Sequence, residues 1–377
     1  MRVAVIGSRG MPHVPGGIER HVEELYPRLV SLGVDVTVYA RREYVPRSCV
    51  VDGVNVVALP SCGGLYGEAL THTALSLVHA SRCDFDLVHV HAIGPGVLLP
   101  LARLLRLRPA VFTFHSFDYL RSKWGPGARA FLRLCEWVSV RSADAIIAVS
   151  EAGTEHIVER YHRSARHIPN GPGGLRRRAP GEVLTRLGLE PGSYILSVGR
   201  LSPEKRLEDL IVAHEEALPH LHLVLVGDTN YTDEYIAHLR ALAGPQVLFP
   251  GYLQAEALEE LYSSALIYVL PSDIEGLSLS LLEAMALGCP IVASDIPGNR
   301  EALGYPPVGM TFPARDRAAL GAALRSLAGE AGLRESLSTA AAARAHRVFD
   351  WDAIAAATLS VYEGALSQSI RSMGDKA

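Results

Sequence analysis

The protein has 377 residues, of which 49% are hydrophobic and 20% are charged, and its formal net charge is −4. This composition indicates a globular protein of two or three domains, excludes a disordered chain, and gives no reason to expect a nucleic-acid partner. The charge is uneven, because residues 1–170 carry 19 Lys and Arg against 15 Asp and Glu, and residues 171–377 carry 17 against 25. We therefore expect the two halves to meet different partners.

The cysteines and the N-terminal segment indicate the cellular compartment in which the protein is expected. The five cysteines form no C-x-x-C pair and their number is odd. We therefore expect reduced thiols in a cytoplasmic protein, and neither a disulfide framework nor a zinc site. The N-terminal MRVAVIGSRG lacks the apolar region of a signal peptide, and no apolar run reaches the roughly 18 residues of a spanning helix.

Apolar strands alternate with helical patterns along most of the chain. In the first half we predict strands at 3–7, 34–40, 86–92, 110–115 and 144–150. The Gly-, Pro- and Arg-rich stretch 167–192 marks a domain boundary. In the second half we predict strands at 193–199, 221–227, 246–251, 266–272 and 290–294, and then helix over 315–368. The pattern predicts an α/β fold of two doubly wound parallel-sheet domains facing a central cleft, with ligands beyond the carboxyl ends of the strands.

Two loops at predicted strand ends could bind phosphate. Residues 7–20 join the first strand to the first helix through four glycines, although an ordinary connecting loop is an equal alternative. The glycine spacing does not match a dinucleotide fingerprint, which argues against a dehydrogenase. In the second domain, Arg200 follows a strand and Lys205 lies five residues on. Two cations at a sheet edge could clamp a diphosphate, and two solvated charges are the alternative.

The histidines and the D-x-D triplets are weaker candidates. His115 ends a strand and could point into the cleft, but a lone strand-end histidine is more often structural. His89 and His91 alternate on one face of a strand, and core packing is favoured over a metal site because no third ligand has suitable spacing. We interpret the triplets at 84–86 and 350–352 as structural, since they precede a strand and a helix. No essential metal is expected.

Residues 121–142 form a basic segment with two tryptophans, Trp124 and Trp137. Its basic residues are Arg121, Lys123, Arg129, Arg133 and Arg141, and Arg160 and Arg163 follow further on. The segment could lie on an anionic membrane surface. An amphipathic surface helix without a membrane partner is the slightly favoured alternative.

Two glutamates, Glu275 and Glu283, stand in the stretch SDIEGLSLSLLEAMALG. Residues 280–283 match the S-x-x-E capping box, which predicts a helix that begins at Ser280 with Glu283 as its cap partner. A cap does not explain Glu275, which follows a predicted strand. Its carboxylate could bind sugar hydroxyls or stabilise positive charge on a ring carbon, and Glu283 could reach a ribose diol.

The ordered set of motifs resembles the family 4 retaining glycosyltransferases, which have the GT-B fold. The matching pieces are Gly16-Gly17, FTFHSFD, IPNG, VGRLSPEKR, residues 271–301 and residues 349–366. The E-x7-E element with its upstream Arg/Lys pair is highly specific. The N-terminal region is most similar to the branch that builds bacterial surface polysaccharides, including rhamnosyltransferases.

The resemblance implies a contact with the donor's diphosphate for four residues. Arg200 and Lys205 would neutralise the leaving group. Gly17, with Gly16, would let the backbone of the first helix approach the same phosphates. These residues would bind the donor without a metal or another cofactor.

The resemblance also implies contacts with the donor's sugars. Glu275 would hold the transferred sugar near the reacting carbon, His115 would contact that sugar, and Glu283 would bind the ribose. The backbone at Ser278 and Leu279 would contact sugar or phosphate. Many family members have glycine where this chain has Ser278, a difference that could change sugar preference.

The expected function is transfer of a hexose, with retention, from a nucleotide-diphosphate sugar to a glycan or lipid-linked acceptor in surface-polysaccharide synthesis. We expect an acceptor-side domain at 1–172, a nucleotide-sugar domain at 173–350, and a C-terminal helix and tail at 351–377 that cross back to the first domain. The expected location is the cytoplasm or the inner face of the membrane. A nucleotide-sugar 2-epimerase of the same fold and a non-catalytic nucleotide-sugar binder are the alternatives.

Overall fold

The computed structural model describes residues 1–62, 64–227 and 233–374. The chain divides into two compact units. Unit 1 comprises Met1–Asn170 and the segment that begins at Trp351, and unit 2 comprises Gly171–Asp350. Each unit is an α/β structure built around one sheet.

Unit 1 contains an eight-stranded sheet among its described residues, in the order β3-β4-β2-β1-β5-β6-β7-β8. Its neighbouring strands are parallel except β3 and β4. The strands are β1 (Arg2–Ile6), β2 (Asp35–Arg41), β3 (Cys49–Val51), β4 (Val54–Leu59), β5 (Leu87–His91), β6 (Ala110–Phe114), β7 (Ala145–Ala148) and β8 (Arg166–His167). The helices are α1 (Gly17–Ser31), α2 (Gly64–Ala80), α3 (Ile93–Gly96), α4 (Leu99–Leu104), α5 (Pro126–Ser142), α6 (Glu151–Tyr161) and, from the C-terminus, α15 (Trp351–Gly374).

Unit 2 contains a six-stranded, wholly parallel sheet in the order β11-β10-β9-β12-β13-β14, again counting described residues. The strands are β9 (Tyr194–Val198), β10 (His222–Val226), β11 (Val247–Gly251), β12 (Ile267–Leu270), β13 (Ile291–Ser294) and β14 (Met310–Phe312). The helices are α7 (Glu182–Leu187), α8 (Leu207–Ala217), α9 (Asp233–Leu242), α10 (Ala255–Ser264), α11 (Leu279–Ala286), α12 (Pro297–Leu303), α13 (Arg317–Gly329) and α14 (Ala331–Val348).

Both faces of the unit 2 sheet are buried, as the continuous apolar strands predict. Adjacent residues of β9 belong to different core clusters. Ile195 packs with Leu225 and Leu324 in one cluster, and Leu196 packs with Met285 in the other. Since alternate side chains of a strand point to opposite faces, both residue positions must be apolar. The predicted α/β fold class with two parallel sheets is therefore confirmed.

The strand order reverses direction at one point in each sheet. In unit 1 this switch point lies between β1 and β5, and in unit 2 it lies between β9 and β12. Loops that leave the carboxyl ends of such strands diverge and leave a crevice, which is where open α/β sheets bind ligands. Ligand-binding residues are therefore expected at these two switch points.

Candidate functional site

Lys205 and Glu275 form an ion pair at the switch point of unit 2. Lys205 ends a 3-10 turn, Pro203–Lys205, that follows β9, and Glu275 lies in the loop after β12. The distance from Lys205 Nζ to Glu275 Oε1 is 2.5 Å, and the two side chains are 17% and 12% exposed. Because β9 and β12 are parallel neighbours, their following loops emerge at the same edge. The fold thus joins two motifs that lie 70 residues apart in the sequence.

A small pocket opens beside Lys205. It is lined mainly by the loop after β9 and by the end of β12, and its wall includes Gly199, Arg200, Lys205 and Leu270. Arg200 is half-buried there. Two cations on one half-buried wall attract a negatively charged group more strongly than they would in open water. Arg200, beside the Lys205–Glu275 pair, therefore makes this wall a candidate for contact with an anion such as a phosphate.

The loop that carries Glu275 is fixed by backbone contacts. The N–H of Asp273 donates to the carbonyl of Glu204 at 2.9 Å, and the hydroxyl of Ser294 donates to the carbonyl of Ser272 at 2.5 Å. At the start of α12, a Cβ on Gly298 would overlap the carbonyl oxygen of Gly276. Only glycine at position 298 lets α12 come this close to the loop without displacing it. Gly298 therefore sets the position of the loop that carries Glu275. Sequence reasoning did not single out this glycine, and the only signal was its place in the P-G-N-R-E stretch.

Helix α11 begins earlier than the capping box predicts. Its N-cap is Ser278, without a side-chain cap hydrogen bond, and Leu279 is the first helical residue. Ser280 lies inside the helix, where its hydroxyl accepts a hydrogen bond from Tyr268 at 2.9 Å. The capping-box prediction is therefore wrong, because a tertiary contact takes the hydroxyl that the cap would use. The helix N-terminus at Ser278 and Leu279 presents backbone N–H groups and a partial positive charge.

Glu283 is buried on the inner face of α11. It is 8% exposed, and its Oε2 accepts a hydrogen bond from the hydroxyl of Tyr262 at 3.3 Å. Burial, with the nearby Glu283 carboxylate as a lesser cause, raises the pKa of Tyr262 well above its usual value, so the phenol keeps its proton. Glu283 is thus held by a phenol donor, and it does not cap the helix.

The glycine pair in unit 1 opens α1 as predicted from the sequence. Gly17 is the first helical residue, and Gly16 precedes it with φ of 144°, a conformation that favours glycine. The carboxylate of Glu19 in the first turn accepts a hydrogen bond from the N–H of Arg9 at 3.0 Å. Gly16 and Gly17 are both exposed, so the N-terminal backbone of α1 is accessible.

His115 follows β6 in unit 1 and is not a lone histidine. Its Nε2 lies 2.9 Å from Nδ1 of His91, the last residue of β5. The ring of His21 in α1 packs edge-on against it with centroids 5.0 Å apart. The Nδ1 of His21 in turn lies 2.9 Å from Oδ1 of Asn170. The fold thus gathers histidines from three elements, which single-element spacing could not reveal.

The chain is similar to known enzymes over nearly its whole length. It is 29% identical to the glycogen synthase of Mycobacterium tuberculosis, over 96% of this chain and 94% of that protein. It is also 29% identical to the alpha-maltose-1-phosphate synthase of Mycolicibacterium smegmatis, over 96% and 99% of the two chains. In structure it resembles the sucrose-phosphate synthase of Thermosynechococcus elongatus, with a TM-score of 0.85, 22% identity, and coverage of 97% and 99%.

Anabaena HepE in complex with UDP-glucose has a TM-score of 0.79 at 21% identity, with coverage of 95% of this chain and 99% of that one. Two family models match the sequence. The model for Glycosyltransferase Family 4 matches residues 15–171, and the model for Glycosyl transferases group 1 matches residues 187–344. The chain belongs to the family 4 glycosyltransferases. It is therefore a glycosyltransferase with the GT-B fold that its motifs predicted.

Three histidines of the glycosyltransferase have a geometry that could hold a metal ion. Nitrogen atoms of His21, His91 and His115 all lie within 4.8 Å of one another. Both nitrogens of His91 already have polar neighbours, since its Nε2 lies 2.6 Å from the hydroxyl of Tyr26 and its Nδ1 faces His115. A metal bound to His91 would have to displace its contact with Tyr26 or its contact with His115. Hydrogen bonding and ring packing account for this grouping, and the absence of an essential metal stays a prediction.

We expect the free energy of unfolding to be lower at pH 5 than at pH 7.5. Burial lowers the pKa of His21 to about 4 and that of His89 to about 3, so both are neutral when folded. The unfolded chain, with histidine pKa values near 6.5, binds more protons below that pH. The stability contributed by each histidine is complete above pH 6.5, falls as the pH drops toward its folded pKa, and is about 2 kcal/mol smaller at pH 5.

Urea unfolding at the two pH values measures this difference. The variant His89→Asn serves as the control, because it lacks one of the two groups and its pH difference should be smaller. Equal stability of the wild-type protein at pH 5 and pH 7.5 would contradict the expectation.

The D-x-D triplets have the structural surroundings expected for them. Asp86 directly precedes β5, and its carboxylate accepts a hydrogen bond from the N–H of Arg2 at 2.7 Å. Asp352 lies in the first turn of α15, and its Oδ1 accepts from Nε of Arg28 at 3.2 Å. Asp84 and Asp86 precede β5 and therefore lie at its amino end, whereas Trp351, the middle residue of the second triplet, packs against the ring of His21 with centroids 5.6 Å apart.

The basic segment forms α5, and one face of this helix is exposed. Phe131, Leu134 and Trp137 are 46%, 52% and 50% exposed, and Arg133 and Arg141 are exposed on the same helix. Among the described residues, the glycosyltransferase contains no helix that is both long and apolar enough to cross a membrane.

Proposed function

We propose that this glycosyltransferase transfers a hexose, with retention of anomeric configuration, from a nucleotide-diphosphate sugar to a glycan or lipid-linked acceptor. The observation that carries the proposal is the Lys205–Glu275 pair beside a cationic pocket at the switch point of unit 2. The cation suits the anionic diphosphate of such a donor, and the neighbouring carboxylate suits the hydroxyl groups of its sugar. A similar solved structure contains UDP-glucose, which supports a nucleoside-diphosphate hexose as donor.

The leaving diphosphate develops charge as the glycosidic bond breaks. In this proposal Arg200 and Lys205 neutralise that charge, and the N–H groups at Ser278 and Leu279 add the partial charge of a helix N-terminus, which the pocket lining and the start of α11 support. In a half-buried pocket such groups need little reorganisation during the reaction. The exposed backbone at Gly16 and Gly17 gives unit 1 a second helix N-terminus that suits phosphate.

Glu275 and Glu283 suit the two sugars of the donor. The carboxylate of Glu275 can accept hydrogen bonds from hexose hydroxyls while Lys205 holds its orientation. Glu283 suits a ribose diol, because a carboxylate oxygen accepts hydrogen bonds from hydroxyl groups, as it does from Tyr262. His115 is assigned a contact with the hexose as well. With these roles the donor is held without a metal or another cofactor.

Retention implies that the acceptor attacks the face from which the diphosphate departs. The residues assigned above stabilise the leaving group and orient the sugar, and none is assigned as a covalent nucleophile. Positioning and electrostatic stabilisation are then the main contributions of the protein. We assign the enzyme to surface-polysaccharide synthesis in the cytoplasm, on the resemblance that the N-terminal sequence has to the branch that builds such polysaccharides.

A panel of nucleotide sugars tests the proposal directly. The correct donor should raise the melting temperature, because a ligand present at 100 times its Kd stabilises the folded state by about 2.7 kcal/mol. NMR of the sugar transferred or released from that donor then reports its anomeric configuration. An inverted product would contradict retention, and a protein that no nucleotide sugar stabilises would contradict the donor class.

The same assay separates the two alternative functions. A 2-epimerase would convert the donor into an isomeric nucleotide sugar with no acceptor present. A non-catalytic binder would be stabilised by the donor and would neither transfer nor hydrolyse it. The synthases found similar to this chain favour transfer over both alternatives.

We also propose that α5 rests on an anionic membrane surface, where a lipid-linked acceptor would be met. Its exposed face carries Phe131, Leu134 and Trp137 flanked by arginines. The acidic residue of this helix, Glu136, is buried and accepts a hydrogen bond from the hydroxyl of Tyr161 at 2.5 Å. A face with aromatic and basic groups and no exposed acid suits anionic headgroups.

Sedimentation with vesicles checks this proposal. We expect binding to phosphatidylglycerol vesicles at low salt, weaker binding at 0.5 M salt, and little binding to phosphatidylcholine. The variant Phe131→Ser/Trp137→Ser should lose binding. Leu104→Ser is the matched control, because Leu104 is an equally apolar side chain, 78% exposed, on another helix of unit 1. Equal sedimentation of both variants would refute a role for α5.

A further inference from the structure

A row of polar groups runs through the interior of unit 1 and ends at His115. The row consists of Thr113, His89, Tyr26, His91 and His115. Nε2 of His89 lies 2.6 Å from the hydroxyl of Thr113, and its Nδ1 lies 3.0 Å from the hydroxyl of Tyr26. That hydroxyl lies 2.6 Å from Nε2 of His91, whose Nδ1 lies 2.9 Å from Nε2 of His115. Each distance is within hydrogen-bonding range.

His91 is the link that couples the row to His115. Burial lowers the pKa of His91 and of His115 well below the usual value, so each ring is neutral and carries a single N–H. Since both nitrogens of His91 have a polar neighbour, one nitrogen donates and the other accepts. The direction of the bond with Tyr26 therefore decides the direction of the bond with His115.

The two directions leave His115 in different tautomers. If Tyr26 donates to Nε2 of His91, then Nδ1 of His91 donates to Nε2 of His115, and the proton of His115 sits on Nδ1. If Tyr26 accepts, His115 carries its proton on Nε2 and its Nδ1 is a bare acceptor. The hydroxyl of Tyr26 thus determines whether Nδ1 of His115 is a hydrogen-bond donor or an acceptor.

Packing also restrains the ring of His115. A half-turn of the ring would exchange the carbon and nitrogen positions and break the bond with His91. His21 lies edge-on against the rings of both His115 and His91, and Asn170 holds its Nδ1. At the far end of the row, the hydroxyl of Tyr362 lies 2.6 Å from Nδ1 of His89. The row is therefore anchored at both ends.

We propose that His91 and Tyr26 are positioning residues for glycosyl transfer, which hold His115 in a single tautomer with one fixed hydrogen-bonding character at Nδ1. The contact of His115 with a donor sugar rests on the proposed function, whereas the single tautomer does not. A histidine in the wrong tautomer can cost an enzyme up to about 10⁴ in rate. Residues that never touch the substrate can therefore control the rate.

Nitrogen-15 NMR of histidine-labelled protein tests the proposal without any ligand. The wild-type protein should show one tautomer for His115, assigned by the loss of its signals in His115→Gln. Tyr26→Phe removes the hydroxyl and should produce a mixture of tautomers. Tyr39→Phe is the matched control, because Tyr39 is also buried in unit 1 and its hydroxyl lies 3.0 Å from Nδ1 of a histidine outside the row, His79.

Two outcomes would overturn the coupling. One is a tautomer mixture in the wild-type protein, which tests the proposal even if Tyr26→Phe does not fold. The other is an unchanged single tautomer in a folded Tyr26→Phe.

Steady-state kinetics with the correct donor test the positioning role. Tyr26→Phe should lower kcat by about tenfold, the value of one well-made hydrogen bond, with the donor KM within about twofold. An unchanged kcat despite mixed tautomers would overturn that role. Failure of every nucleotide sugar to bind would refute the proposed function and leave the NMR result standing.

Discussion

Replacing Glu275 with Gln or Lys205 with Ala is expected to lower kcat by about 10²–10³, since each removes a charged group that the proposed function assigns to the reacting part of the donor. The two side chains are only 12% and 17% exposed and lie 2.5 Å apart, so the loss of either also leaves the other without its ion-pair partner. Donor turnover measured on purified variants checks the expectation. The double variant should lose less than the product of the two single losses, because the residues act together.

Two surface variants of unit 2 control for charge. Glu256→Gln and Arg186→Ala remove exposed charges away from the pocket and should keep wild-type turnover. Circular dichroism should show that all the variants are folded. Wild-type turnover in both Glu275→Gln and Lys205→Ala would place the chemistry elsewhere and remove the main support for the proposed site.

The second large effect on kcat is expected from a substitution at Gly298. Gly298→Ala would place a methyl group against the carbonyl of Gly276 and within 3.0 Å of the carbonyl of Glu275. The loop must move, at a cost of about 1–3 kcal/mol in stability. A displacement of about 1 Å can lower the rate about 10²-fold, so kcat should fall far more than the stability loss suggests.

Gly332→Ala is the matched control for this substitution. Gly332 lies in the first turn of α14 with open space around its missing Cβ, so alanine there should not lower the stability of the protein. Urea unfolding and donor turnover distinguish the two sites. If Gly298→Ala kept both wild-type stability and wild-type turnover, the close approach of α12 to the Glu275 loop would be unimportant.

The buried parallel strands could be predicted because they are continuous apolar runs. Among the described residues, prediction missed β3, β4, β8 and β14. β4, VNVVAL, has six residues with alternate positions buried, so an apolar pattern was present there and was overlooked. The other three have only two or three residues each, and β3 pairs antiparallel at the sheet edge. Such short strands bury too little apolar surface to leave a pattern in the sequence.

The candidate site could be predicted as a set of residues but not as contacts. The motifs that hold Lys205 and Glu275 were found separately, and the pairing itself depends on the order of strands in the sheet. His115 was expected to be a lone histidine, because no local spacing links it to His21 and His91. The capping box failed for the same reason, since Tyr268, a distant residue, binds the hydroxyl of Ser280.

Unit 2 interrupts unit 1 in the sequence, and this has a consequence for synthesis on the ribosome. The last helix, α15, supplies Tyr362, which is fully buried and bonded to His89 in the centre of unit 1. The inner core of unit 1 therefore stays incomplete until Tyr362 and the rest of α15 have left the ribosome. Unit 2, continuous from Gly171 to Asp350, has all of its residues before that moment. The portion that is translated first is thus the last to complete its folding.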